Sequence, residues 1–119
     1  MVILDEVKVT TGNKTKPSAE VTLIIDGKKK VAKGQGVGPV DAVSHAIKSV
    51  AGDIGLKEYN LKAITGGTDA LANVAIKVQD KKGNIFKAEG VDEDVIMASA
   101  IAIVKGLNRA LIFQRGGRK

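Results

Sequence analysis

The sole histidine of the chain, His45, has Asp41 four residues before it and Ser44 beside it. On a helix that spacing sets imidazole and carboxylate on one face, within reach of a hydrogen bond. A metal site needs more ligands, and the chain holds no second histidine and no cysteine. Ser44 has no orienting triad and is no nucleophile. The pair therefore reads as a helix-surface hydrogen bond. The run Gly34-Gln35-Gly36-Val37-Gly38-Pro39 leads from a strand into a helix, as phosphate-cradling loops do. No Gly-Lys-Ser/Thr follows, so it is not a Walker loop. Pro39 and the lack of a ribose-binding acid after a parallel strand exclude a dinucleotide fingerprint. Two readings of the run stand: a close turn onto a helix, or free N–H groups that receive a small carboxylate. Thr65-Gly66-Gly67-Thr68-Asp69-Ala70 offers one acid and two hydroxyls without a partner and reads as a glycine bend between strands. No catalytic constellation remains.

The elements that must position these residues follow from periodicity. Val7 and Val9 alternate with Glu6, Lys8 and Thr10 in a first strand, and Pro17 is expected to keep the second strand from starting earlier. Ala19, Val21, Leu23 and Ile25 alternate through that second strand. Asp26-Gly27 is a hairpin dipeptide, and Val31 to Lys33 returns as a third strand, ended by the glycines. Pro39 suits the first turn of a helix, Val43, Ala46, Ile47 and Val50 form its buried face, and Gly52 stops it.

The second half repeats the order. Tyr59, Leu61 and Ala63 make one strand, Ala72, Val74, Ile76 and Val78 the next, and Ile85 to Ala88 a third. Asp92 is expected to cap a last helix, with Glu93 and Asp94 in its first turn. That helix is apolar on more than one face, which predicts burial on two sides, as at a subunit interface. Gly36 to Gly52 can be laid on Gly90 to Gly106 without a gap, 54 positions apart, with Ala46, Ile47 and Val50 matched by Ala100, Ile101 and Val104. The fold class expected is α+β: two βββα units related by a pseudo-twofold, antiparallel sheets with helices packed on them. The whole chain, 1–119, reads as one domain, with units of about 4–54 and 55–113 and a basic tail at 114–119.

Nineteen basic against thirteen acidic side chains give a net charge of +6, which invites a nucleic-acid reading. The lysines sit in turns and at strand ends, and only Tyr59, Phe86 and Phe113 are aromatic, so no stacking platform exists. A small basic nucleic-acid-binding module is retained only as the alternative. With no cysteine there is no disulfide framework. The N-terminus lacks a signal-peptide pattern, and no run of about 20 apolar residues is expected to cross a membrane. These features point to a cytoplasmic protein without metal or cofactor.

Three stretches in order, Gly36-Val37-Gly38-Pro39-Val40-Asp41-Ala42, Tyr59 with Ile64 to Ala70, and Ser99-Ala100 with Leu107-Asn108-Arg109, closely resemble one known family. It is the C-terminal regulatory domain of alpha-isopropylmalate synthase and citramalate synthase, and the similarity runs from about Leu4 to Arg109. The resemblance implies two βββα units, a homodimer, and feedback binding of leucine or isoleucine in branched-chain amino-acid biosynthesis. It implies an effector pocket at Val40, Leu56, Tyr59, Ala63 and Val95. Their apolar or small character suits a branched aliphatic side chain. The helix starts near Val40 and Val95 are expected to face each other and offer N–H groups to the effector's carboxylate. The family's enzymes carry a metal-dependent barrel that condenses acetyl-CoA with a 2-keto acid. Nothing of that kind fits in this length, so the chain should have no activity of its own. It would be either a domain of such a synthase or a free-standing regulatory module.

Overall fold

The computed structural model describes residues 1–52, 54–64 and 71–115. In chain order the elements are β1 (Val2–Gly12), β2 (Thr15–Ile25), β3 (Lys28–Gln35), α1 (Pro39–Ala51), β4 (Gly55–Ile64), β5 (Ala72–Gln79), β6 (Ile85–Asp92) and α2 (Val95–Gln114). They form two antiparallel three-stranded sheets, ordered β1-β2-β3 and β4-β5-β6, each followed by its helix. The chain is thus α+β and made of two βββα units. The Thr65–Ala70 bend and the tail beyond Arg115 lie outside the described residues.

Alternation in the sequence becomes a two-faced sheet. Ala19, Val21 and Leu23 of β2 are buried against α1, while Ser18, Glu20 and Thr22 look outward. Burying a side chain such as Leu23 completely is worth roughly 2 kcal/mol. The Asp26-Gly27 turn has φ of 52° and 81°, the signature of the tight I′ hairpin whose twist matches the strands it joins. The matching turn of the second unit is longer and is built around Asp80. Its carboxylate accepts the N–H groups of Lys82 and Asn84 at 3.0 and 2.9 Å, and the Asn84 amide at 3.0 Å.

Pro17 does not delay β2, which begins at Thr15. The proline sits where the pairing with β1 slips, between Thr10–Ser18 and Gly12–Thr15. There its missing N–H costs no ladder bond, and its carbonyl accepts the N–H of Gly36 at 3.1 Å.

The internal repeat is real, but its register is 56 residues and not 54. α1 opens at Pro39 and α2 at Val95. Gly34 lies against Ala42 and Ala46 of α1, and Gly90 lies against Ala98 and Ala102 of α2 in the same way. Ile47 therefore corresponds to the buried Ile103, not to Ile101. The same two-residue shift moves the cap of α2. Asp92 still belongs to β6, and it is Asp94 whose carboxylate accepts the N–H groups of Ile96 and Met97, at 2.7 and 3.4 Å.

α1 packs on β3 and β2, and α2 on β6 and β5. α2 also reaches β1 and α1, so part of its second apolar face is covered by the first unit of the same chain, while Ile112 and Phe113 near its end stay exposed. Asn108 makes part of that closure, its side chain bonding both the N–H and the carbonyl of Val2 at 2.7 and 2.8 Å. At twenty residues α2 is, by length and composition alone, long and apolar enough to cross a bilayer, contrary to the expectation from the sequence. Half of its apolar stretch is buried inside the fold, as in the core helix of a globular domain.

Candidate functional site

Leu56 and Tyr59 stand three residues apart, a spacing that sets side chains on opposite faces of a regular strand. A bulge corrects this. The register slips between Leu56 and Glu58, so Leu56 pairs with Val78 and Tyr59 with Ile76, both residues of the helix-covered face. The first unit has the same irregularity between Leu4 and Glu6. The bulge is what lets two residues of β4 address α2 together.

The half-buried Tyr59 reaches the first turns of α2. Its hydroxyl lies 2.9 Å from the hydroxyl of Ser99, which donates to the carbonyl of Val95 at 2.7 Å. Ser99 is fully buried, so its hydroxyl is shielded from water. The structure thus joins two of the sequence-derived positions, Tyr59 and Val95, through a residue between them to which the sequence assigned no pocket role. The available signal was a hydroxyl in the apolar run Met97-Ala98-Ser99-Ala100-Ile101.

Leu56 lies further along α2, in a crevice lined with Ser44, Ile47 and Ala51 of α1 and Ile103 and Leu107 of α2. The cavity there is about 10 Å³, which admits no more than a water molecule. Ile47 and Ile103, and Ala51 and Leu107, are equivalent in the 56-residue register, so the two helices meet through the same face. They meet beyond their first turns. Val40, two turns before Ile47 and so about 10 Å along the axis, is outside this crevice. Within one protomer, that crevice brings together later turns of the two helices and not their starts. Ala63 pairs through its backbone with Asn73, and its side chain is outside the described residues.

The two helix starts also differ in what they can bind. In α2 the N–H groups of Ile96 and Met97 are taken by Asp94, so that end offers fewer donors to a ligand carboxylate. In α1 the cap position is Gly38, no side chain caps the helix, and Pro39 contributes no N–H. The first intrahelical bond runs from Ala42 to Gly38. The N–H groups of Val40 and Asp41 are left as the donors of that end.

His45 anchors the approach to α1. Its Nδ1 donates to the carbonyl of Gln35 at 2.5 Å, and its Nε2 lies 3.5 Å from Asp41. Asp41 in turn accepts the N–H of Val37 at 3.0 Å. The i,i+4 pair is thus a loop fastener. Among the described residues no three acidic, histidine or cysteine side chains are grouped to hold a metal.

Larger concavities, of about 630 and 540 Å³, lie on the outer faces of the two sheets. Ion pairs such as Lys77–Glu58 and Lys62–Glu89, at 3.3 and 3.4 Å, cross the first of them. Such charged, open surfaces do not suit a branched aliphatic group, which calls for apolar enclosure.

Residues 1–111 match the family model described as the LeuA allosteric (dimerisation) domain. The chain belongs to that family. Among its relatives, a probable 2-isopropylmalate synthase of Methanopyrus kandleri is 48% identical over 112 residues, covering 91% of this chain. A 2-isopropylmalate synthase of Methanocaldococcus jannaschii is 42% identical over 112 residues, covering 93%. A protein of Methanosarcina acetivorans named for (R)-citramalate synthase activity is 43% identical over 115 residues, again covering 93%. The matches take up 22%, 21% and 24% of those three proteins, so the chain spans less than a quarter of the relatives it matches. What it shares with them is the allosteric domain, not a catalytic one.

Proposed function

We propose that this domain binds a branched-chain amino acid, leucine or isoleucine, as the feedback effector of a 2-isopropylmalate or citramalate synthase, and that it acts as a homodimer. Alongside the family's allosteric description, one observation carries the reading. Tyr59 and Val95, residues of different elements, are drawn together by the buried Ser99 on the helix-covered side of β4. The proposed pocket comprises Leu56, Tyr59, Ala63 and Val95, and Val40 closes it from a second copy. The position of Val40, at the start of α1 and outside the crevice at Leu56, is compatible with that division. Binding also has to open that crevice or use the surface between copies, because about 10 Å³ cannot hold an isobutyl group.

In this reading the effector's carboxylate meets the uncapped start of α1. Leucine then binds at least tenfold more tightly than leucinamide, and equal affinities would exclude the helix start as the carboxylate's seat.

The general test is thermal unfolding with leucine, isoleucine, valine or a short DNA duplex, with the oligomeric state followed by sedimentation. A ligand that binds only the folded dimer raises the midpoint in step with its excess over Kd. A midpoint raised by the duplex in a salt-dependent way, and by no branched amino acid, would overturn the sensor reading in favour of nucleic-acid binding.

A further inference from the structure

Ser99 has one hydroxyl proton, and its geometry spends that proton on the carbonyl of Val95 at 2.7 Å. The oxygen of Ser99 can then meet Tyr59 at 2.9 Å only as an acceptor, so the Tyr59 hydroxyl is the donor of that bond. The opposite direction would set the Ser99 oxygen against the Val95 carbonyl with no proton between them. Burial of Ser99 leaves no water to relieve that conflict. The hydroxyl of Tyr59 therefore has its proton committed inward. Its oxygen is left with lone pairs only, to offer to a ligand at the proposed pocket.

We infer that Ser99 is a positioning residue that makes Tyr59 an obligatory acceptor, so that Tyr59 reads the α-ammonium group of the effector. The inference rests on the amino-acid-binding role proposed above. It also gives the ligand a direction, its ammonium toward Tyr59 and its carboxylate toward the uncapped start of α1. A ligand presenting a lone pair to Tyr59 meets a second acceptor and is disfavoured there. Without Ser99 the phenol proton is free to turn toward the ligand, where it competes with the ammonium for the same space.

The test is a double-mutant cycle on leucine affinity, measured by calorimetry on the dimer with parent, Ser99→Ala, Tyr59→Phe and the combined variant. Loss of a hydrogen bond to a charged group predicts a Kd raised by about tenfold or more in Tyr59→Phe. Ser99→Ala weakens leucine in the same direction, and the combined variant is no weaker than Tyr59→Phe, because Ser99 acts only through the phenol oxygen. Additive losses, or a Ser99→Ala variant that binds leucine like the parent, would overturn the inference while leaving leucine binding established. Failure of the parent to bind leucine at all would remove the functional reading and this inference with it. Melting temperatures of the four proteins separate loss of affinity from loss of fold.

Discussion

A methyl group added at Gly90 tests the packing on which the whole second unit depends. A Cβ built on Gly90 would stand 2.2 Å from the carbonyl oxygen of Ala98 and 2.7 Å from the amide nitrogen of Ala102. Real Cβ atoms almost never approach a neighbour within 3.0 Å, so α2 must retreat by at least about 0.8 Å. Both obstructing atoms are helix backbone and cannot rotate away. The retreat loosens the contacts of Ala98, Ala102 and Ile103 with the sheet, an overpacking strain that costs about 2–3 kcal/mol. For a domain of this length the unfolding entropy is about 250 cal/mol/K, so Gly90→Ala lowers the thermal midpoint by about 8–12 °C. Gly34→Ala behaves alike, since its Cβ would meet Ala46 N at 2.4 Å and Ala42 O at 2.8 Å. Gly38→Ala is the control, because nothing lies within 4 Å of its added methyl and its φ is −154°. Circular dichroism melts of the three variants decide the matter. A Gly90→Ala variant melting within about 2 °C of the parent would refute the close seating of α2 on β6 and the duplicated contact with it.

Three further outcomes follow from local chemistry. Asp94→Ala removes the cap of α2 and costs about 1 kcal/mol by urea denaturation, whereas Asp92→Ala, outside the cap, costs less; the reverse order would return the cap to Asp92. Asn108→Ala unfastens α2 from the start of β1 and costs about 1–2 kcal/mol, and amide exchange at Val2 should accelerate more than exchange in β5. Asp80 has a pKa held below its ordinary 3.8, chiefly by its hydrogen bond from the Asn84 side chain. The ionised form therefore stabilises the fold above the ordinary value, and that stabilisation is lost as pH falls through the lowered one. Melts between about pH 2 and 5 should show a steeper acid loss in the parent than in Asp80→Asn, and parallel curves would contradict the network drawn here.

Much of the fold was legible because it is written in short-range chemistry. Alternation in Ala19–Ile25 and Ala72–Val78, the Asp26-Gly27 hairpin, and Pro39 and Gly52 at the ends of α1 each act over a few residues. Each appears where those residues place it. Identical residues misled where they imitated one another. Alanine recurs in both helices and isoleucine in α2, so Ala46 and Ile47 find identical partners in a 54-residue alignment as readily as in the 56-residue one. The same shift explains why Asp92, a sound cap by type, is not the cap in space. Pro17 was misjudged because its tolerance depends on the slip in the neighbouring strand, which no property of β2 alone reveals.

The amino-acid sequence alone determined the α+β class, the duplicated βββα order and the kinship with the LeuA allosteric domain, since periodicity, turn dipeptides and ordered motifs are local quantities. Only the tertiary structure decided which glycine receives which helix, since that choice turns on clearance between backbones brought together by folding. It likewise decided that part of the second face of α2 packs on the first unit of the same chain. It also assigned Ser99, 40 residues from Tyr59, the place between that phenol and the carbonyl of Val95. A hydrogen bond across that separation depends on a bulge in β4 and on the seating of a helix. Neither leaves a trace in the spacing of residues along the chain.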